Sequence, residues 1–206
     1  FLRLDFNENT IGPSPHVIKA LKNIPADHIS IYPEYNGLKE ALIKNLKESQ
    51  SSLTIDSSQV GIFNGVDAAI HAIFHAYGNP EDLLLTTKPT FGYYKPCANM
   101  QGMELIALPY EGPKLLFPYE KIYQTLLDRK PKILLICNPN NPTGTRLSPD
   151  KIIQLTSISP TTLVVIDELY EAFTGDSILP HINFTKSKNL LVLRSLSKTA
   201  GLAGLR

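Results

Sequence analysis

The sequence predicts an α/β fold, in which a mostly parallel sheet is covered by helices on both faces in a three-layer α/β/α arrangement. Short apolar runs alternate with stretches of helical pattern, which is typical of parallel sheets. The apolar runs are continuous, as expected for strands that are buried on both faces. A chain of 206 residues can bury a sizeable core, in one large domain or two small ones.

Five apolar runs are the predicted strands of this sheet. They span residues 83–87, 104–108, 132–136, 162–166 and 190–194. A further sheet segment is predicted at residues 60–63, after a polar, serine-rich loop. Polar residues that follow the carboxyl ends of these strands are candidates for ligand binding, because open α/β sheets bind their ligands there.

Three helices are predicted from local pattern. Residues 66–77 have apolar side chains at helical spacing, and Gly78 ends the pattern. Residues 37–48 form an amphipathic pattern of the same kind. Ser148 is the predicted N-cap of a later helix, because Pro149 follows at the first helical position.

The first 35 residues differ from the rest, because they contain four prolines and no helical pattern longer than residues 17–22. We interpret residues 1–35 as an N-terminal arm and residues 36–206 as one large domain. A segment with so few apolar side chains is not expected to fold against its own domain alone. We therefore expect a homodimer to which the arm contributes.

Composition argues against several classes of partner. The net charge is +1 and no basic run exceeds two residues, so neither nucleic acid nor a membrane is an expected partner. No apolar stretch approaches the length of a membrane span or a secretory signal. Cys97 and Cys137 lack a metal-type spacing, which favours a reducing, cytoplasmic location. A small-molecule ligand is the default expectation.

Two patterns resemble binding motifs without completing them. His71 and His75 have a spacing that can bind zinc, but Ala72 occupies the position where the metalloprotease motif requires glutamate. Gly201 and Gly204 do not complete a dinucleotide fingerprint, and the sequence has no Walker-type phosphate loop. A helix face is therefore favoured over a metal, and no nucleotide site is predicted.

The most informative motif is the run Ser195-Leu196-Ser197-Lys198, with Arg206 eight residues after the lysine. It places an amine at the end of a predicted strand, beside donors of the kind that bind phosphate. By spacing alone, a solvated lysine would be the more common interpretation. Two further motifs favour a functional lysine over a solvated one.

Residues 138–144 are Asn-Pro-Asn-Asn-Pro-Thr-Gly, and residues 165–170 are Val-Ile-Asp-Glu-Leu-Tyr. In this order, the three motifs resemble the large domain of fold-type I pyridoxal-phosphate aminotransferases, in the branch that contains histidinol-phosphate aminotransferase. The resemblance covers residues 4–206. It implies pyridoxal 5′-phosphate as cofactor, and an amino donor and a 2-oxo acid as small-molecule substrates.

The resemblance assigns catalytic roles to three side chains. Lys198 would bind the cofactor covalently and then move a proton at the substrate α-carbon. Asp167 would pair with the ring nitrogen in a dry site, and Tyr170 would donate to the phenolic oxygen together with Asn141. The local sequence by itself favours a turn-capping aspartate at 167 and ordinary turn chemistry at Asn141.

The resemblance also implies the remaining cofactor contacts. Phe91 stands where the family stacks an aromatic ring, commonly tyrosine, on the cofactor. The phosphate would be bound by hydroxyl, guanidinium and first-turn backbone donors. These donors belong to Ser195, Ser197, Arg206, Val66 and Asp67. Tyr32 would contact the phosphate of the neighbouring subunit's cofactor.

Residues 4–9, residues 12–15 and the run Tyr32-Pro33-Glu34 are similar to the histidinol-phosphate branch, which implies transamination with 2-oxoglutarate in histidine biosynthesis. Three alternatives remain open: another class I or II aminotransferase, such as one for aromatic amino acids, a threonine-phosphate-type decarboxylase, or a non-catalytic cofactor-binding module. In the family a small C-terminal domain follows. We therefore expect a truncated large domain without that domain, inactive by itself.

Overall fold

The computed structural model describes residues 5–32, 37–50 and 52–205 of the chain. Its strands are β1 (Leu83–Lys88), β2 (Glu104–Pro109), β3 (Ile133–Cys137), β4 (Leu163–Asp167) and β5 (Leu190–Leu193). They form one parallel sheet in the order β2-β1-β3-β4-β5. All five predicted strands are confirmed, each within one residue at either end.

The helices are α1 (Pro15–Lys22), α2 (Asp27–Ser30), α3 (Leu38–Ser49), α4 (Gly65–Tyr77), α5 (Tyr94–Met100), α6 (Tyr119–Arg129) and α7 (Pro149–Ile158). Four of the helices, α4 to α7, pack on the two faces of this sheet. Within the described ranges, none of them has the length and apolar character that crossing a bilayer requires.

The core lies on both faces of the sheet. Successive residues of β3 alternate between two apolar clusters, because neighbouring side chains of a strand point to opposite faces. Leu135 packs on the side of α4 and α5, and Leu134 packs on the side of α6 and α7. Each such fully buried leucine contributes about 1.5–3 kcal/mol. The predicted three-layer arrangement is thereby confirmed.

The predicted helix ends agree with the structure in position, but one differs in detail. The Gly78 amide donates a 2.8 Å hydrogen bond to the Phe74 carbonyl and ends α4. At the start of α7, Ser148 has the extended backbone of an N-cap, yet its side chain makes no capping hydrogen bond. Pro149 therefore marks this helix start through its backbone conformation.

The sheet segment predicted at residues 60–63 is wrong. These residues have no strand conformation, and Gly61, Ile62 and Phe63 are exposed. An apolar run forms a strand only where a neighbouring strand accepts its hydrogen bonds. In the described part of the chain, no strand pairs with this segment.

Candidate active site

Three loops meet at the carboxyl edge of the sheet. Cys137, the last residue of β3, is paired with Asp167 at the end of β4, and Asp167 is paired with Leu193 at the end of β5. The motifs at residues 138–144 and 194–201 therefore leave the same edge. The parallel sheet collects side chains that are far apart in sequence.

Asp167 is buried, with only 2% of its surface exposed. The Tyr94 hydroxyl donates to its Oδ2 at 2.7 Å, and the Leu169 amide donates to its Oδ1 at 3.1 Å. Burial raises the pKa of Asp167, and these two hydrogen bonds oppose that rise. Both donors are neutral, so the carboxylate can still gain from a cation that enters the site.

Asp167 makes the turn contact that the local sequence predicts. Its bond to the Leu169 amide, two residues ahead, is the local contact that an aspartate makes with its own turn. One carboxylate oxygen thus fixes the turn after β4. The other is oriented by Tyr94, a residue of α5.

The Tyr170 hydroxyl accepts hydrogen bonds from two amide side chains. Asn141 Nδ2 lies 3.5 Å from Tyr170 Oη, and Asn7 Nδ2 lies 3.1 Å from the same oxygen. Burial raises the pKa of Tyr170, and the Asn7 hydrogen bond opposes the rise. The proximity of Tyr170 and Asn141 agrees with the roles that the resemblance implies. Asn7 was not anticipated.

Lys198 is half-buried, and its Nζ donates to the Phe6 carbonyl at 2.6 Å. Phe6 is the chain neighbour of Asn7, which contacts Tyr170. The beginning of the arm therefore contacts both Lys198 and Tyr170, which lie on different loops. Asn9 anchors the same segment through a 3.0 Å bond from its Nδ2 to the Thr199 carbonyl.

Gly201 allows the arm to lie close to the loop of residues 198–201, which we call the lysine loop. Its φ is +69°, and a Cβ built on it would lie 2.7 Å from the carbonyl carbon of Gly12. Only glycine satisfies both conditions without displacement. The expectation that the arm would not fold against its own domain needs refinement, because residues 5–12 contact the loop of residues 198–201 through polar groups.

The predicted phosphate donors form two groups. Ser195 Oγ donates to Ser197 Oγ at 2.8 Å and accepts from the Ser197 amide at 3.0 Å. Val66 lies in the first turn of α4 with its side chain buried in the core, so that only its backbone can contact a ligand. Asp67 lies in the same turn, and its charge raises the pKa of Asp167.

The other predicted residues are placed as follows. Phe91 is half-buried and packs edge-on against Tyr94, with ring centroids 5.6 Å apart, next to the donor of Asp167. Tyr32 is 96% exposed. Pro33, Glu34 and Arg206 lie outside the described residues.

His71 and His75 stack with parallel rings, at a centroid distance of 6.4 Å on α4. Among the residues described, no group of three or more histidine, cysteine or acidic side chains is arranged to hold a metal ion. Both histidines lie on α4, as their helical spacing predicts.

A buried ion pair was also missed at the sequence level. Glu168 is 1% exposed, and its Oε2 accepts from Arg194 Nε at 3.1 Å and from Ser177 Oγ at 2.8 Å. Arg194 Nη2 also lies 2.6 Å from Glu171 Oε1. This network ties the loop after β4 to the loop after β5. No local pattern at either residue indicates the pairing, since the partners are 26 residues apart.

Comparison with known proteins shows the family to which the chain belongs. Residues 1–206 match the family described as aminotransferase class I and II. Histidinol-phosphate aminotransferase of Macrococcus caseolyticus is 36% identical over the whole chain and 57% of its own length. Dihydroxyacetone phosphate transaminase of Campylobacter jejuni is 31% identical over the whole chain and 54% of its own length.

Among solved structures, histidinol-phosphate aminotransferase of Sinorhizobium meliloti in complex with pyridoxal-5′-phosphate superposes with a TM-score of 0.79. The match covers 98% of this chain and 53% of that one, at 22% identity, and shows a common fold. The chain spans about half the length of the curated relatives that it matches. It belongs to the class I and II aminotransferase family.

Proposed function

We propose that this chain is the pyridoxal-phosphate-binding part of a cytoplasmic aminotransferase that uses histidinol phosphate and 2-oxoglutarate in histidine biosynthesis. Family membership and relatives named for that reaction support the proposal. The observation that carries it is the buried Asp167, whose donors Tyr94 and Leu169 are neutral. Such a carboxylate suits a cationic ring nitrogen.

The chemistry of the surrounding side chains fits this cofactor. Lys198 offers an amine, Tyr170 and Asn141 offer donors for a phenolic oxygen, and Phe91 offers a ring face. Phosphate donors would come from the Ser195 and Ser197 hydroxyls, the Arg206 guanidinium and the first-turn amides at Val66 and Asp67. When bound, pyridoxal phosphate supplies an electron sink that stabilises negative charge at the substrate α-carbon.

Three residues of the chain would supply the proton transfer and electrostatic stabilisation that the reaction needs. Lys198 would accept the proton from the substrate α-carbon and return it, as general base and then general acid. Asp167 would keep the ring nitrogen protonated by electrostatic pairing, which is strong because the site is dry. The Tyr170 hydroxyl would donate a hydrogen bond to the phenolic oxygen and so stabilise the ionised form of that oxygen.

The substrate is the finer part of the proposal. Histidinol phosphate and dihydroxyacetone phosphate, the substrates in the names of two relatives, both contain a phosphate group. A phosphorylated substrate is therefore the common expectation. Another class I or II aminotransferase, a threonine-phosphate-type decarboxylase and a non-catalytic cofactor-binding module are the alternatives, and the products formed distinguish them.

We further propose an arm (residues 1–35), a large domain (residues 36–206) and a homodimer. The arm exposes large apolar side chains that a partner subunit would cover: Ile11 is 96% exposed, Ile29 is 79% exposed and Tyr32 is 96% exposed. Tyr32 would then contact the phosphate of the partner's cofactor. Association and cofactor affinity would be linked.

The test uses the full-length protein loaded with pyridoxal phosphate. Borohydride trapping and peptide mapping should label Lys198, and the variant Lys188→Arg, which changes an exposed lysine before β5, should label identically. The variant Asp167→Asn should still be labelled at Lys198, while turnover of histidinol phosphate falls by about a hundredfold or more. Labelling at another lysine, or wild-type turnover in Asp167→Asn, would contradict the proposal.

A further inference from the structure

The Tyr170 hydroxyl has an unusual hydrogen-bond arrangement. A phenolic oxygen has two lone pairs and one proton. Asn7 Nδ2 and Asn141 Nδ2 both donate to this oxygen, from the arm and from the loop after β3. With both lone pairs engaged, the hydroxyl proton is directed to a third group.

We propose that Asn7 is a positioning residue that, together with Asn141, directs the Tyr170 hydroxyl proton towards the phenolic oxygen of the bound cofactor. This inference rests on the proposed function and adds to it a residue of the arm. Without Asn7, the hydroxyl could rotate and donate to another acceptor. With Asn7, the donor direction is fixed before the ligand enters, so that no reorganisation is needed.

The electrostatics of the site agree with this role. Burial raises the pKa of Tyr170, and the nearby Asp167 carboxylate raises it further. The Asn7 amide acts in the opposite direction, since a donor to the phenolic oxygen favours the ionised form. A lower pKa makes the Tyr170 hydroxyl a better donor to a negatively charged ligand oxygen.

The backbone of Asn7 allows a clean experiment. Its φ is +51°, a conformation that asparagine and aspartate adopt more readily than other non-glycine residues, and that glycine adopts freely. Both variants suit this backbone conformation: Asn7→Asp replaces the amide by a carboxylate, and Asn7→Gly removes the side chain. Asn9→Gly is the matched control, because Asn9 anchors the same segment to the Thr199 carbonyl without contacting Tyr170.

The first measurement follows the pKa of Tyr170 in the cofactor-free, full-length protein by NMR of ring-labelled tyrosine, with Tyr170→Phe to assign the signal. Asn7→Gly should raise this pKa, and Asn7→Asp should raise it further, by about one unit or more, because a carboxylate replaces a donor. Asn9→Gly should leave it unchanged. Equal values in the wild type and Asn7→Asp would overturn the inference.

The second measurement titrates the absorption of bound pyridoxal phosphate with pH. Asn7→Asp should shift the pKa of the bound chromophore upward, because the new carboxylate would accept the hydrogen bond of the Tyr170 hydroxyl in place of the cofactor. The kcat should fall about tenfold. If Asn7 only seats the arm, Asn7→Asp should behave as the wild type, and this result would overturn the inference. Failure of the wild type to bind the cofactor would instead contradict the proposed function.

Discussion

The hydroxyl of Tyr94 lies 2.7 Å from Oδ2 of Asp167, and both side chains are almost completely buried. The contact spans 73 residues of sequence and joins α5 to the end of β4. Burial favours the neutral carboxyl group, whereas the hydroxyl donor favours the ionised one. Tyr94 therefore bears directly on the charge state of the candidate active site.

Replacing Tyr94 by phenylalanine should destabilise the fold by about 1–3 kcal/mol, because a buried oxygen loses its donor. In the folded protein the pKa of Asp167 is raised above its ordinary value of 3.8. Protonated Asp167 therefore favours the folded state at low pH, and this contribution to stability is lost as pH rises through the folded-state pKa. Tyr94→Phe raises that pKa further. Its cost in urea denaturation should therefore grow as pH rises above the folded-state pKa of Asp167 in the wild type.

Tyr110→Phe is the control for this experiment. Tyr110 is also buried, and its hydroxyl accepts a 3.2 Å bond from neutral Thr87 Oγ1. Its substitution should cost stability without the same pH dependence. In an Asp167→Asn background, the pH dependence of Tyr94→Phe should disappear, and its persistence would show that another group titrates.

Arg194→Gln should destabilise the protein by about 3–5 kcal/mol at neutral pH, because it leaves the Glu168 carboxylate buried without its cation. Burial raises the pKa of Glu168 and Arg194 lowers it, so the substitution should cost less in acid, where Glu168 is protonated. Denaturation at a series of pH values tests this.

The matched control is Arg146→Gln, because Arg146 pairs with Asp176 on the surface, where both side chains are about half exposed. A surface pair contributes about 0–1 kcal/mol. Similar losses from Arg146→Gln and Arg194→Gln would contradict the buried role of Glu168.

Gly201→Ala should displace the beginning of the arm from the lysine loop. The new Cβ would meet the Gly12 carbonyl carbon at 2.7 Å, and a φ of +69° adds strain of about 1–3 kcal/mol. Hydrogen exchange at residues 5–12 should accelerate. Gly204→Ala, where no atom lies within 4 Å of the added Cβ, should leave that exchange unchanged.

Ile29→Glu should weaken the proposed homodimer, because it places a charge among the exposed apolar side chains of the arm. Sedimentation velocity across a concentration series should show dissociation at higher concentrations than for the wild type. Leu116→Glu is the control, since Leu116 is also exposed but lies far along the chain between β2 and α6. Equal sedimentation of all three proteins would argue against an interface at the arm.

The strands could be predicted from sequence because each is a continuous apolar run, and burial on both faces requires that pattern. Residues 60–63 show the limit of this reasoning, since an apolar run does not reveal whether a partner strand exists. The order of the sheet is likewise set by packing between distant segments.

Ordered motifs indicated Lys198, Tyr170 and Asn141 as candidate site residues; the structure places Asn141 beside Tyr170, and the roles of all three stay predictions. Asn7 and Tyr94 were not predictable, because each acts through one contact across a long stretch of chain. Nothing in the neighbouring sequence distinguishes Tyr94 from an ordinary core tyrosine. Such supporting residues emerge only when the folded chain brings them to the group that they orient.

In each hydrogen bond between the arm and the loop of residues 198–201 described above, a side chain donates to a main-chain carbonyl. Lys198 donates to the carbonyl of Phe6, and Asn9 donates to the carbonyl of Thr199. Substitution of the Phe6 or Thr199 side chain therefore leaves both acceptors in place. These contacts therefore depend on the register of the arm, because a shift by one residue would displace the Phe6 acceptor and the Asn9 donor together.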